Sequence, residues 1–365
     1  MITVVVPTIG RPSLGATLAA VGTRLPVIVV DDRPASRAGP LEVPERVRVV
    51  RSWGRGPAAA RNAGWRAADT PWVAFLDDDV VPRPGWAEAV WADLAELTDD
   101  VAGSQGRVEV PLPPGRRPTD AERNTAGLSA AEWITADMAY RRSALEATGG
   151  FDERFPRAYR EDADLALRML SAGHRLVRGE RVTVHPVRDD GFWSSVRFQR
   201  GNADDALMRR LHGPSWRAAL GGAPGRLRRH ALTTGLGCTA ATLTAATLTA
   251  AWAARNREQA GRKRRLSVPP VRGRRLTVPT MWGRRLTVPA GRRRRSTVPA
   301  GPGPLAVIAA LAAAGWAVLS AEFAWSRIAP GPRTPAEVLR MAVTSVAIPP
   351  TACAHRLRGE WRVRR

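Results

Sequence analysis

The chain predicts an α/β fold, a mostly parallel sheet with helices on both faces, followed by a helical C-terminal extension that contacts a membrane. Three observations predict it. Short apolar runs alternate with helix-like segments over about the first two hundred residues, the pattern of strand–helix–strand units. Two of those runs end in carboxylates, Val27-Ile28-Val29-Val30-Asp31-Asp32 and Trp72-Val73-Ala74-Phe75-Leu76-Asp77-Asp78-Asp79. From about Pro224 the composition changes to long uncharged runs rich in Ala and Thr.

The elements follow in order. Ile2 to Val6 is β-branched and ends at Pro7, a first buried strand. Thr8 to Ser13 is a turn, and Ser13 is placed to cap a helix over 14–21. Residues 27–32 form a second strand and 47–50 a third. Gly56-Pro57 opens a helix with Pro at its first position. The run 72–76, bounded by Pro71 and by charge, is a buried strand. Trp86, Val90, Trp91 and Leu94 recur at helical spacing and should pack on the sheet. A further strand covers 108–110, and the Pro- and Arg-rich stretch 113–124 is a loop. Asp162 opens an amphipathic helix that Gly173 ends, short extended pieces follow at 175–177 and 182–185, and 193–211 is a polar helix.

The acid triplet carries the chemistry. Three carboxylates cannot enter a core unpaired, so they sit at the strand's mouth, where open α/β sheets bind ligands. Asp77 and Asp79 are two residues apart and can turn toward one point. Hard oxygen ligands that leave room for phosphate oxygens suit Mg²⁺ or Mn²⁺. An acidic loop or a helix N-cap is the plainer alternative.

The formal charge of +23 invites a nucleic-acid reading, which two facts weaken. Lys263 is the one lysine in an Arg-, Ala-, Gly- and Pro-rich chain, which points to a biased genome. Roughly fifteen basic residues also crowd into 255–295, opposed there by Glu258 alone. Cys238 and Cys353 are too few for a disulfide framework, which suits a reducing compartment. The first strand begins without a positively charged leader, so no secretory signal is expected.

The expected organisation is a catalytic domain over 1–223, a hydrophobic helix region over 224–254, an Arg-rich segment over 255–303, and a second hydrophobic helix with a basic tail over 304–365. The runs 231–254 and 304–321 carry no charge and approach the length of a bilayer span. Between them Arg264-Arg265-Leu266-Ser267-Val268-Pro269 recurs with a period of ten at 274–279 and 284–289, and in degenerate form at 294–299. Proline in every copy and no apolar face predict disorder. Such a segment suits anionic lipid headgroups, or is a tandem expansion tolerated in a loop.

Taken together, residues 1–211 resemble the family 2 glycosyltransferases of the GT-A fold. Val4-Val5-Val6-Pro7-Thr8 looks like the family's opening strand, and Val29-Val30-Asp31-Asp32 like its uridine-side acidic strand. Ala59-Ala60-Arg61-Asn62-Ala63-Gly64 resembles the helix that follows, and Phe75-Leu76-Asp77-Asp78-Asp79 the DxD metal motif. Gly149-Gly150-Phe151-Asp152-Glu153 and Glu161-Asp162-Ala163-Asp164-Leu165 are similar to the GGFDE and ED segments. Six motifs in the right order are far more specific than any one of them. The chain beyond about Pro224 lies outside the resemblance.

The resemblance implies an inverting transferase that moves a sugar from a nucleotide-diphosphate donor to an acceptor hydroxyl, in envelope, polysaccharide or glycolipid synthesis, at the cytoplasmic face of the plasma membrane. It implies Asp77 and Asp79 as ligands of Mn²⁺ or Mg²⁺ with His185 as a third. Pro7, Asp31, Asp32, Arg61 and Asp78 would face the donor, Asp31 and Asp32 at base and ribose. Asp162 would be the general base, with Asp164 and Asp137 the next candidates. The sequence departs from the family in one place: Arg33-Pro34 stands where a Gly-Ser turn is usual, so donor recognition should differ. A sugar-phosphate nucleotidyltransferase is one alternative, but 7–13 has a single glycine and no phosphate-cradling loop. A non-enzymatic membrane- or nucleic-acid-binding protein built on the Arg repeat is another, and it leaves the ordered carboxylates unexplained.

Overall fold

The computed structural model describes residues 1–37, 39–188, 191–266 and 303–364. They divide into two compact units, one of Met1–Ala231 with Ser320–Arg365, the other of Leu232–Leu319. The strands are β1 (Ile2–Thr8), β2 (Val27–Asp31), β3 (Arg48–Arg51), β4 (Trp72–Leu76), β5 (Val81–Pro82), β6 (Val101–Glu109), β7 (Asp137–Arg141) and β8 (Arg175–Val184). They form one sheet in the order β3-β2-β1-β4-β7-β6-β8-β5. The helices of its faces are α1 (Leu14–Val21), α2 (Pro57–Ala67), α3 (Trp86–Ala95), α4 (Asp120–Ala126), α5 (Arg142–Thr148) and α6 (Glu161–Ser171). Then come α7 (Ser194–Arg197), α8 (Gly201–His212), α9 (Trp216–Ala219), α10 (Leu227–Leu266), α11 (Pro304–Ile328) and α12 (Pro335–Arg364).

Side chains on a strand alternate between faces, and this alternation builds two cores. Val4, Val6, Val29, Ala74 and Leu76 pack with Leu14 and Leu18 of α1 and Trp86 and Val90 of α3. Val5, Ile28, Val30, Val73 and Phe75 pack with Trp65 of α2, Leu145 of α5 and Leu165 and Met169 of α6. Strands covered on both faces read as unbroken apolar runs, which is why β1, β2 and β4 were legible.

The sheet is mixed. β1 pairs in parallel with β2 and β4, β2 with β3, and β6 with β8. β7 runs antiparallel between β4 and β6, and β5 antiparallel to β8. The parallel set ends together, Thr8 opposite Asp31 and Val5 opposite Phe75, so the carboxylates beyond these strands share one edge. This is the α/β sheet with helices on both faces that the alternating runs predict.

Several expectations are corrected. Ser13 is itself helical, at φ −66 and ψ −22, and its side chain makes no cap. Trp91 is 44% exposed, because it turns away from the face of α3 that Trp86, Val90 and Leu94 bury. The stretch expected as loop to residue 124 contains the start of α4, whose Thr119 and Glu122 form a reciprocal capping box. The two extended pieces after Gly173 are one strand, β8.

The expected separate tail over 304–365 is also corrected. Residues from Ser320 onward belong to the sheet-bearing unit. There α12 lies on α8, and a Cβ built at Gly359 would stand 2.5 Å from the Ala203 carbonyl oxygen. Arg327 reaches Asp120 Oδ2 at 2.7 Å, Ser195 Oγ at 3.0 Å and Thr344 Oγ1 at 2.8 Å. The helices α10, over Leu227–Arg262, and α11, over Pro304–Ile328, are long and apolar enough to cross a membrane. Leu248, Trp252, Leu311 and Val318 are exposed on them. The decapeptide repeat, beyond its first three residues, lies outside the described residues.

Candidate active site

The acid triplet leaves β4 and splits. Asp77 shares the face of Val73 and Phe75, toward α2 and α6, where Arg61 NH2 donates to its Oδ1 at 2.8 Å. Asp78 shares the opposite face with Leu76 and is buried, accepting from Thr8 Oγ1 at 2.6 Å and Arg11 NH1 at 2.8 Å. Asp79 receives Arg11 at 3.3 Å and pairs with Arg188. Its Oδ2 is 3.8 Å from His185 Nε2.

Arg61 joins the motifs. It is buried, and NH1 donates to Glu161 Oε1 at 2.6 Å while NH2 holds Asp77. Burial alone would lower its pKa, but Asp77, Glu161 and Asp162 around it outweigh that and raise it, so the guanidinium stays charged. Glu161 and Asp162 are the first two residues of α6. Asp162 Oδ1 accepts from the Ala163 N–H at 2.7 Å. Burial pushes the Asp162 carboxyl above the ordinary range, against that hydrogen bond and against Arg61 and Arg160, with Asp77 adding to the rise.

The motif order has a structural cause. Asn62 Nδ2 donates to the Phe151 carbonyl at 2.8 Å and to Glu153 Oε1 at 2.9 Å, while Asn62 Oδ1 accepts from Phe151 N–H at 2.9 Å and Trp65 Nε1 at 2.9 Å. Gly150 has φ +73, and a Cβ there would stand 2.5 Å from Asn62 Oδ1. The helix motif and the Gly-Gly-Phe turn are therefore one lock.

Other site expectations meet a fuller geometry. Pro7 lies opposite Val30 in the β1–β2 ladder. Asp31 is clasped by Arg33, whose NE and NH2 reach its two oxygens at 2.9 Å each. Those hydrogen bonds hold the Asp31 carboxyl below the ordinary range despite burial. The unusual Arg33 thus occupies the residue expected at the donor's base. Asp32 accepts from Ser52 Oγ at 2.7 Å and from Gly56 N–H at 3.0 Å, tying β2 to the start of α2. The two reserve bases are committed elsewhere: Asp164 to Arg168 and His212, Asp137 to Arg181, Trp86 and Thr183.

Thr8, Arg11 and Arg188 were not singled out from the sequence. Thr8 and Arg11 lay in what read only as a turn, and no local pattern marks a residue whose partners are sixty-seven or more positions away.

For a divalent cation the fit is partial. Asp79 Oδ2 and His185 Nε2 stand 3.8 Å apart, wider than the roughly 3.0 Å between adjacent ligands of an octahedral ion, and Arg11 and Arg188 already pair with that Asp79 oxygen. His185 Nδ1 lies 3.0 Å from the Pro186 carbonyl; donating there leaves Nε2 with its lone pair outward. Asp77 turns instead to Arg61, and among the described residues no three His, Cys, Asp or Glu side chains converge on one point. Two protein donors with the remainder from phosphate and water is the usual provision for Mg²⁺.

Residues 3–163 match the family model described as Glycosyl transferase family 2. The chain is 35% identical over 196 residues to a pre-mycofactocin glycosyltransferase of Mycobacterium tuberculosis, covering 48% of this chain and 40% of that one. It is 37% identical over 106 residues to the succinoglycan biosynthesis protein ExoO of Rhizobium meliloti, covering 26% of this chain and 30% of that one. The chain thus spans well under half the length of these relatives. Among solved structures it is similar to the mannosyltransferase PcManGT of Pyrobaculum calidifontis in complex with GDP-Man and Mn²⁺, at 22% identity and a TM-score of 0.43, covering 69% of this chain and 79% of that one. It is also similar to S. aureus TarS, at 17% identity and a TM-score of 0.38, covering 59% and 41%.

Proposed function

We propose that residues 3–163, which match the Glycosyl transferase family 2 model, are a glycosyltransferase domain and that the chain transfers a sugar from a nucleotide-diphosphate donor to an acceptor hydroxyl with inversion. One observation carries the reading. Carboxylates from two separate motifs, Asp77 after β4 and Glu161-Asp162 at the head of α6, meet through the buried Arg61 at the C-terminal edge of the parallel strands.

The reaction needs one base. The acceptor oxygen attacks the anomeric carbon as the bond to the diphosphate oxygen breaks, and the acceptor's proton passes to Asp162. Inversion in one displacement requires no protein nucleophile. Arg61 keeps Asp77 and Glu161 in place beside that base. Mn²⁺ or Mg²⁺ held by Asp79 and His185, with Asp77 turning in, would neutralise the charge of the departing diphosphate. Thr8, Pro7, Asp31 and Asp78 line the donor side, and Asp32 shapes it through Gly56.

We place the sheet-bearing unit in the cytoplasm, with α10 and α11 entering or lying on the inner face of the plasma membrane and the Arg-rich repeat on the catalytic side. A short positively charged loop on the far side would violate the positive-inside bias. A role in polysaccharide or glycolipid synthesis suits both the membrane contact and the succinoglycan relative.

The test is a panel of nucleotide sugars with full-length protein. A nucleoside diphosphate should raise Tm with Mn²⁺ or Mg²⁺ and much less with EDTA, and one donor should release nucleoside diphosphate. Release of pyrophosphate instead would mean a nucleotidyltransferase. Equal stabilisation with and without metal would sink the metal assignment.

A further inference from the structure

A cavity of about 1190 Å³ opens beside the start of α6, within the sheet-bearing unit. Tyr159, three residues before Asp162, is in its wall, as are Trp216 and Phe198. Eight of its twenty-six lining residues are arginine, about twice the share of basic residues in the whole chain. A generally Arg-rich composition therefore does not account for it. Its one carboxylate, Asp205, is already paired with Arg160 and Arg217. Arg157 is paired with Asp204, Arg226 with Glu322 and Arg356 with Glu360. Arg200, Arg209 and Arg228 have no carboxylate partner among the described residues.

The wall is joined directly to the catalytic segment. Arg160 has φ +79, an uncommon conformation for a bulky residue and one that costs about 1 kcal/mol or more. Asp205 holds its side chain at 2.9 Å, and it stacks 4.2 Å from the Tyr159 ring centre and 4.8 Å from that of Trp216. The strained residue is the one immediately before Glu161 and Asp162. The same contacts therefore form the cleft wall and aim the proposed base.

We infer that this cleft receives a phosphate group of the acceptor, so that the hydroxyl to be glycosylated belongs to a phosphate-bearing molecule whose apolar or sugar faces rest on the exposed Tyr159 and Phe198, with the buried Trp216 backing the wall. The inference rests on the transferase reading, because it takes Asp162 as the base that receives the acceptor's proton. Guanidinium forks match phosphate oxygens in pairs, and the cavity, at about 1190 Å³, is larger than the roughly 300–1,000 Å³ that holds a drug-sized ligand. Arg200, Arg209 and Arg228 are exposed on the cleft, so their guanidiniums are open to an incoming phosphate.

The test uses full-length protein saturated with nucleoside diphosphate, so that donor-side phosphate binding is already filled. Glucose 6-phosphate and glucose are titrated, then vesicles of phosphatidylglycerol and of phosphatidylcholine. In at least one pair the phosphate-bearing or anionic member should bind roughly tenfold or more tightly. Arg200→Glu combined with Arg209→Glu should remove a glucose 6-phosphate preference and weaken a vesicle preference, to which the Arg-rich repeat also contributes, and Arg200→Gln with Arg209→Gln should act in the same direction more weakly. A preference for glucose 6-phosphate assigns a soluble acceptor phosphate; one confined to vesicles assigns a lipid-borne phosphate. No preference in either pair, or a preference the variants leave undiminished, overturns the inference. Nucleoside diphosphate binding is read separately, so failure there counts against the transferase reading and not against the cleft.

Discussion

Arg61 decides what the acids around it can do. Its guanidinium takes up Glu161 and Asp77 directly, which leaves Asp162 as the carboxylate at the head of α6 not bonded to an arginine side chain. Asp162→Asn should therefore lower kcat roughly a hundredfold or more with donor affinity kept, whereas Glu161→Gln should cost less turnover. Because the proposed base would work ionised and its pKa is raised, activity should fall as pH drops through a value above the ordinary carboxylate range. The stability consequence has the opposite sign. A carboxyl whose pKa is raised in the folded state loses stability as pH rises from its unfolded value through the folded one. Asp162→Asn removes that penalty, so at neutral pH in EDTA its Tm should exceed that of the parent protein. Arg61→Ala strands two buried or half-buried acids and should cost about 3 kcal/mol or more in urea unfolding. The identities of these residues were legible from the motifs. That Arg33 would clasp Asp31, or Arg11 and Arg188 crowd Asp79, was not, because those contacts depend on how loops fold back.

At the scale of elements, β7 separates the readable from the unreadable. The parallel strands announced themselves as apolar runs, but nothing local to Asp137-Met138-Ala139-Tyr140-Arg141 states its direction. Its antiparallel placement is fixed by pairing with β4 on one side and β6 on the other. It is also pinned from within: Arg181 of β8 donates to Asp137 Oδ1 at 2.7 Å and Trp86 of α3 to Oδ2 at 2.7 Å. Both ionic partners are fully buried, and removing one strands the other. Asp137→Ala should thus destabilise by about 3–5 kcal/mol, visible as a lowered urea midpoint. Loss of turnover in this variant should follow the loss of folded protein, unlike Asp162→Asn, where folded protein stays inactive.

For the whole molecule, the change of composition near Pro224 comes well after the family match ends at residue 163. It did not mark the end of the unit that holds the matched residues. The helix α12 has a mixed, Pro-interrupted sequence with no clean apolar stripe, yet Met341, Ile348 and Ala352 are buried. Burying a Met or an Ile contributes about 2 kcal/mol each. Truncation at residue 331 should accordingly lower Tm and expose α8, read as increased binding of a hydrophobic dye.

That return of the chain turns Leu232–Leu319 into an excursion of roughly ninety residues between two parts of one folded body. The entropy of closing such a detour grows only with the logarithm of its length. One decapeptide more or fewer changes it by about 0.1 kcal/mol, far below what a single buried side chain contributes. Deleting residues 274–283 should leave Tm within about 1 °C. The number of repeat copies is therefore nearly invisible to folding, and slippage during replication can lengthen or shorten the array without selection on stability to stop it.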